Sequence, residues 1–376
     1  MGRSKKNKNQ TKIERHVKKT VKRIPLWIVV LIVVVGFIVG YLYYKKNNDN
    51  KNDNNKNNIK GNVAYLVQEG TKVDDVKVTF LELFGSNGNP QIGDSIFIEC
   101  GDIDILIDAG EKASGSNTVV PFIEEHVSDN ILELVIVTHA DSDHLGGMVG
   151  LSNSYGALEI PGITYQYIVD FVYEGQTQLY KDYLEIRNKK VNEGAKYFNI
   201  GSIFDSNNLD AITRFYLGVD TYLDLLDYKT YGISEINDDN DRSVSCLLTH
   251  NTKKVLLCGD AEKKEETYLT NLNIGHVDVF KANHHGSPTS NTKALLDNIT
   301  PSYIVICSSE ENKYNLPKKT IIERFNEYTE NIFATFINGN IIVTLKDNDV
   351  IVNAERSLVF VQKSDWYLTD DPDNPR

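Results

Sequence analysis

An apolar run, Leu134–Val137, leads straight into THADSDHLGG, which places His139, Asp141, Asp143 and His144 within six residues at the mouth of a strand. Two aspartates that close repel each other. They are costly to desolvate unless a cation or a hydrogen-bond network compensates them. A chain that builds this turn must bring positive charge to the end of that strand, and a divalent metal ion is the first expectation.

Three further segments end apolar strands in the same manner: Asp108 in ILIDAG, Asp260 in VLLCGD, and His284 with His285 in FKANHHGS. Asp108 and Asp260, each taken alone, read equally well as turn formers. The histidines weigh more, because four of the chain's eight lie in the two clusters. Residues i and i+2 leaving a strand point the same way, so His139 and Asp141 can converge on one cation. Asp143 and His144 open a helix-like stretch, DHLGGMVGL, and can turn toward a second. Imidazoles and carboxylates discharged toward one sheet edge are what a binuclear metal site requires.

The rest of the chain sets the context. Ile24 to Tyr44 carries no charge and is long enough to span a hydrocarbon core of roughly 30 Å. Trp27 and the tyrosines at 41, 43 and 44 sit at its ends as interfacial anchors would. Ten Lys/Arg precede it against Glu14. The expectation is a signal anchor over 24–44 with a basic cytoplasmic tail over 1–23 and everything beyond outside the cell. Asparagine-rich residues 45–62 read as a flexible tether, 63–362 as the folded body, and 363–376 as an acidic tail. The formal charge of −12 leaves −21 on everything beyond residue 24 once the basic tail is set aside. A body this acidic has no broad attraction for polyanions.

Strand-like runs at VKVTFLELF, SIFIEC, DILIDAG, LELVIVTH, YIVDFVY, RSVSCLLTH, KKVLLCGD, VDVFKANHH, YIVICSS, IFATFIN and IIVTLK alternate with helical spacing at VVPFIEEHV, 175–194, KKEETYLTNL, NTKALLDNI and KKTIIERFNEY. That order predicts an α/β layered sandwich. Cys100, Cys246, Cys258 and Cys307 lie in four of the strand-like runs without a CxxC pair, and read as buried free thiols.

THADSDHLGG, LLCGDAE and KANHHGSPTS, in this order, resemble the metallo-β-lactamase superfamily, and within it the hydrolase domain of ComEC-type DNA-uptake proteins and their stand-alone relatives. That branch also has Asp in place of the second His of its His-x-His-x-Asp-His motif, as Asp141 does here. Gly93, Asp94 and Ser95 match its Gly-Asp-Ala/Ser turn. Asn240 and Ser243 match its Asn-x-x-Ser strand, and NKYNLP, with Tyr314, its Asn-x-Tyr-x-His-Pro loop. The likeness runs from about Val76 to about Leu345. Two departures stand out: Leu316 replaces the histidine before proline, and no third histidine ligand falls between His144 and Asp260, since His250 lies within a strand too near Asp260.

The resemblance implies an αββα metallo-β-lactamase sandwich, here preceded by the one transmembrane helix read from residues 24–44. It implies a first metal site of His139, Asp141 and Asp260, and a second of Asp143, His144, Asp260 and His285. The ions would be Zn²⁺ or Mn²⁺, one or two of them, since carboxylates favour harder ions. Asp143 would also orient a nucleophilic water, and His284 would protonate the leaving oxygen. Asp94, Asp108, Asn240, Ser243, Ser287 and Tyr314 are expected as supporting or substrate-contacting residues. Ser287, Thr289 and Ser290 could hydrogen-bond a phosphate or merely cap their loop. The expected reaction is hydrolysis of a phosphodiester, either single-stranded DNA or a cell-wall polymer ester such as phosphorylcholine. In DNA uptake a separate channel partner would be needed, because one spanning segment makes no pore. The alternative is a metal-binding module of the same fold without activity; Asp141 and the missing histidine argue against a true β-lactamase.

Overall fold

The computed structural model describes residues 62–204, 212–226 and 238–356, all of them within one compact unit, Lys60–Arg376. The basic tail, the apolar segment 24–44, nearly all of the tether and the acidic tail lie outside the described residues. Among the described residues no helix is long and apolar enough to cross a membrane.

The strands are β1 (Asn62–Tyr65), β2 (Asp75–Phe80), β3 (Leu83–Phe84), β4 (Pro90–Gln91), β5 (Ile96–Cys100), β6 (Ile103–Ile107), β7 (Ile131–Ile136), β8 (Thr164–Asp170) and β9 (Lys196–Asn199). Then come β10 (Ile212–Gly218), β11 (Thr221–Leu225), β12 (Cys246–His250), β13 (Lys253–Leu257), β14 (Val279–Lys281), β15 (Tyr303–Ile306), β16 (Ile332–Ala334), β17 (Ile341–Lys346) and β18 (Val350–Ala354). One sheet has the order β18-β17-β2-β5-β6-β7-β8-β9, the other β1-β10-β11-β12-β13-β14-β15-β16, and β3 pairs β4 separately. The first sheet is antiparallel from β18 to β6 and parallel from β6 to β9; the second is antiparallel from β10 to β13 and parallel at both edges, β1 with β10 and β13 to β16.

The two-residue period of a strand divides the second sheet between two cores. Val255, Leu257, Val279 and Val305 join the large cluster shared with the first sheet, whereas Leu256, Phe280, Ile304 and Ile306 pack beneath helices Lys263–Asn271, Lys293–Ile299 and Lys319–Phe325. Strands buried on both faces read as continuous apolar runs, which is why LLC, VDVF and YIVIC could be picked out. The α/β layered sandwich expected from element order is therefore present. All four cysteines are buried and free, as expected.

Some elements differ from expectation. IFATFIN is strand only to Ala334; Thr335–Asn338 is a helical turn, held because Thr335 Oγ1 accepts from Ser308 N and donates to Ser308 O. DHLGGMVGL is a single turn, Ser142–Leu145, followed by a tighter turn over Gly146–Met148. Asn62, assigned to the tether, already pairs with Ile212 in β1. His250, set aside as a ligand, ends β12 at the far end from the site, its Nδ1 2.7 Å from Thr221 Oγ1.

Candidate metal centre

The C-terminal ends of β6, β7, β13 and β14 meet at one rim, joined by the N-terminal ends of β5 and β12, which run antiparallel to β6 and β13. Asp94 therefore arrives from before β5, Asp108 from after β6, His139 and His144 from after β7, Ser243 from before β12, Asp260 from after β13, and His284 and His285 from after β14. The Val244 amide donates to the Thr138 carbonyl at 2.9 Å and so couples the sheets here. Gly93 stands at φ 141°, where a Cβ would collide with the Asp143 carbonyl oxygen, so only glycine lets the Asp94 loop close on the Asp143 turn. Gly286, at φ 83°, is pressed against Pro317 in the same way.

Asp108, His284 and His285 also have positive φ, at 58°, 48° and 52°. Non-glycine residues reach the left-handed region only when their surroundings over-determine them, and such strain clusters at functional sites. The surroundings here are identifiable. Glu266, buried on helix Lys263–Asn271, accepts from Asn283 Nδ2, Asn291 N and Thr292 N, and so grips both ends of the His284–His285 loop. Asp241 accepts from the amides of Glu262 and Glu265 and secures the start of the same helix.

The hydrogen-bond network fixes the histidine tautomers. Asp108 Oδ2, which can only accept, lies 2.8 Å from His144 Nδ1 and 2.6 Å from Thr138 Oγ1. Thr138 spends its one hydrogen on Asp108, so its oxygen accepts from His139 Nδ1 at 3.0 Å. His285 Nδ1 donates to the Cys307 carbonyl at 2.8 Å. Each of these imidazoles carries its hydrogen on Nδ1 and turns an Nε2 lone pair inward. His144 Nε2 and His285 Nε2 are 3.3 Å apart, and they stand 3.2 and 3.3 Å from the Asp260 oxygens. His139 Nε2 is 3.9 Å from Asp260 Oδ2, and neither that nitrogen nor Asp260 Oδ1 has a hydrogen-bond partner among the described residues.

Five acceptor atoms thus converge with no hydrogen among them, and all four residues are buried. Left to themselves they draw protons. The Asp260 carboxylate, with Asp143 and Asp94, outweighs burial and pushes His285 up to about 10, and His144 is raised likewise by Asp260, Asp94 and Asp108. Burial and the neighbouring His144 instead push His139 down to about 3. A divalent cation satisfies all of these demands at once, and the donor set fits one.

Asp143, half-buried, brings Oδ2 to 3.4 Å from His285 Nε2; against the effect of burial, that ring and His144 hold its carboxyl well below the usual range. Asp141 is exposed at the start of the Ser142–Leu145 turn and caps no amide. His284 places Nε2 3.8 Å from Asp260 Oδ2, with Nδ1 3.2 Å from Glu262 Oε1. Ser243 Oγ accepts from the Asp260 amide and donates to the Asn240 carbonyl, so both act through the Asp260 turn. Ser287 Oγ bonds Thr289 Oγ1 and Thr289 N within its own loop, a capping role. Tyr314 is exposed beside the Lys313 ammonium, 4.7 Å from its ring. Leu316, where the resemblance led one to look for histidine, is buried and only 4% exposed.

Asp94 and Asp108 do not face outward. Asp94 pairs with Lys281, a residue absent from the expected set, at 2.5 Å. Glu262, Glu266 and Thr138 were likewise not anticipated.

No family model matches the chain. Recombination protein 2 of Haemophilus influenzae is 24% identical over 269 residues, covering 70% of this chain and 28% of its own. Competence protein ComA of Neisseria gonorrhoeae is 24% identical over 251 residues, covering 66% and 30%. The chain therefore spans under a third of the length of these relatives. The metallo-β-lactamase fold protein YhfI from Bacillus subtilis is 12% identical, covering 69% of this chain and 95% of its own, with a TM-score of 0.41. The resemblance to competence proteins read from the motifs is the one the curated relatives return.

Proposed function

We propose that the chain is a metal-dependent hydrolase of phosphodiesters, held at a membrane by residues 24–44 with its catalytic body outside the cell. The observation that carries this reading is the convergence of His139, His144, His285 and Asp260 on a hydrogen-free, buried point. A Zn²⁺ or Mn²⁺ ion bound there supplies Lewis acidity and lowers the pKa of water. His139, His144, Asp260 and His285 would hold it, with Asp143 and Asp141 at the open side for a second ion. Asp143, at the rim, accepts a hydrogen bond from the attacking water and orients it. His284, steered by the Glu262 carboxylate, delivers a proton to the leaving oxygen.

The names of the similar proteins, recombination and competence, support single-stranded DNA as substrate, which would call for a separate channel partner. The charge of −21 beyond the basic tail supports a shorter substrate such as a cell-wall phosphorylcholine ester. Buried Leu316 favours the second reading, a metal-binding module without activity.

The test is the full-length chain, stripped of metal and reloaded with Zn²⁺ or Mn²⁺, assayed on bis-p-nitrophenyl phosphate, single-stranded DNA and p-nitrophenyl phosphorylcholine. Hydrolysis of at least one, restored by metal and lost in Asp260→Asn, is the expected result. A metal-loaded protein inert on all three establishes the module instead.

A further inference from the structure

Lys281 is the last residue of β14 and shares the inward face of Val279, so the strand period drives its side chain between the sheets. It is fully buried. Its ammonium donates to Asp94 Oδ2 at 2.5 Å and to the Gly259 carbonyl at 3.0 Å, and stands 3.5 Å from Asp260 Oδ1 as an ion pair without a hydrogen bond. Burying a lysine is expensive, and an apolar residue would suit the sheet interior better. Two side-chain clusters in the centre have the spacing to hold a metal: His139, His144 and Asp260, and Asp94, His144 and His285. In the second, Asp94 is already taken by Lys281, and the Nδ1 atoms of His144 and His285 are committed to Asp108 and the Cys307 carbonyl.

The charge count follows. With the imidazoles neutral, the buried part of the centre holds three carboxylates, Asp94, Asp108 and Asp260, and one ammonium. That leaves two negative charges, which one divalent cation balances. Asp141 and Asp143 lie on the open side and must share any second cation with solvent or with the substrate's phosphate. We infer that Lys281 is a built-in counter-cation that limits the centre to one tightly held divalent ion, a second being recruited only with a phosphate-bearing substrate. The inference rests on the metal-centre reading proposed above and deepens it.

Metal titration of the full-length chain with Mn²⁺, with and without inorganic phosphate, tests it independently of turnover. Wild type binds one ion tightly and a second only with phosphate present. Lys281→Met adds one uncompensated negative charge and tightens the second ion by at least roughly thirtyfold without phosphate. Asp94→Asn leaves the ammonium unbalanced and weakens the tight ion by at least about tenfold. The double variant, Asp94→Asn with Lys281→Met, restores the charge and returns to one tight ion. If Lys281→Met does not fold, the Asp94→Asn and double variants still decide the question. Affinities within about threefold of wild type in folded variants, or two tight ions in wild type without phosphate, overturn the role of Lys281 and leave the metal centre standing. A wild type that binds no ion at all removes both.

Discussion

Asp108 accepts a hydrogen bond from His144 Nδ1 at 2.8 Å while its backbone sits at φ 58°, and through Thr138 it also governs His139. One carboxylate therefore sets the tautomer of two inward-facing imidazoles. Asn at this position keeps the shape and tolerates the left-handed backbone, but its amide NH₂ can donate to Nδ1 and drive the hydrogen of His144 onto Nε2, into the centre. Asp108→Asn is expected to weaken metal binding by roughly 10- to 100-fold with little change in fold. Competition with a chromophoric chelator measures the first and circular dichroism the second. Unaltered affinity in a folded variant would show that Asp108 serves the fold alone.

Glu262 stands 3.2 Å from His284 Nδ1 and has no other role in the centre's ligand set. Glu262→Gln should leave metal content unchanged while lowering kcat by roughly 10- to 100-fold, because His284 loses the charge that steadies it as a proton donor. Single-turnover rates on bis-p-nitrophenyl phosphate, with metal content measured on the same sample, check this. A kcat equal to wild type would dismiss His284 as the acid.

The strand-end residues were legible in the chain because each lies where an apolar run stops and because half of the chain's histidines gather at two such ends; Asp108 and Asp260 alone read equally well as turn formers. Asp260 and His285 come within hydrogen-bonding range of His144 though more than a hundred residues separate them in sequence. Lys281 was not legible. Both faces of β14 are buried, so the run VFKA has no polar side against which an inward lysine could be recognised. Glu262, at the N-cap of helix Lys263–Asn271, and Glu266, in its first turn, looked like ordinary acidic residues at a helix start, where they suit the helix dipole. β10 and β11 escaped notice because Arg214, Tyr216, Tyr222 and Asp224 alternate with their apolar residues; Arg214 stacks on Tyr222, with its carbon 3.8 Å from the ring centre. Their outward face is a polar and aromatic ladder, and polarity in sequence reads as loop.

Glu266 offers both carboxylate oxygens to donors: Asn283 Nδ2 and Asn291 N on one, Thr292 N on the other. Glu266→Gln turns an NH₂ toward at least one of those donors and leaves a buried amide unpaired. The expected loss is about 2–3 kcal/mol of stability, read as a fall in Tm, with the His284–His285 loop becoming the first segment to exchange its amide hydrogens. A melting curve superimposable on wild type would mean that the loop's strained backbone is held elsewhere.

Asp104 and Glu133 face each other across β6 and β7, at the end of the sheet away from the metal centre, and the Asp104 amide donates to Glu133 Oε2 at 2.9 Å. Glu99 lies directly opposite Asp104 on β5 and pairs at 4.0 Å with exposed Lys77 on β2; Asp102 and Asp129 stand nearby. Burial, then the charge of Glu133 and the other carboxylates, pushes Asp104 up to about 7; burial does the same to Glu133, partly offset by the Asp104 amide. The folded state thus binds more protons than the unfolded chain between about pH 4 and pH 7. Stability falls as pH rises through that window and is flat beyond it. Asp104→Asn removes one of the facing charges and should raise stability at pH 8 by about 1–2 kcal/mol, after allowance for solvent screening, while leaving it near wild type at pH 4.5. Urea unfolding at the two pH values measures the difference. A gain of equal size at both would mean that repulsion between these carboxylates is not its source.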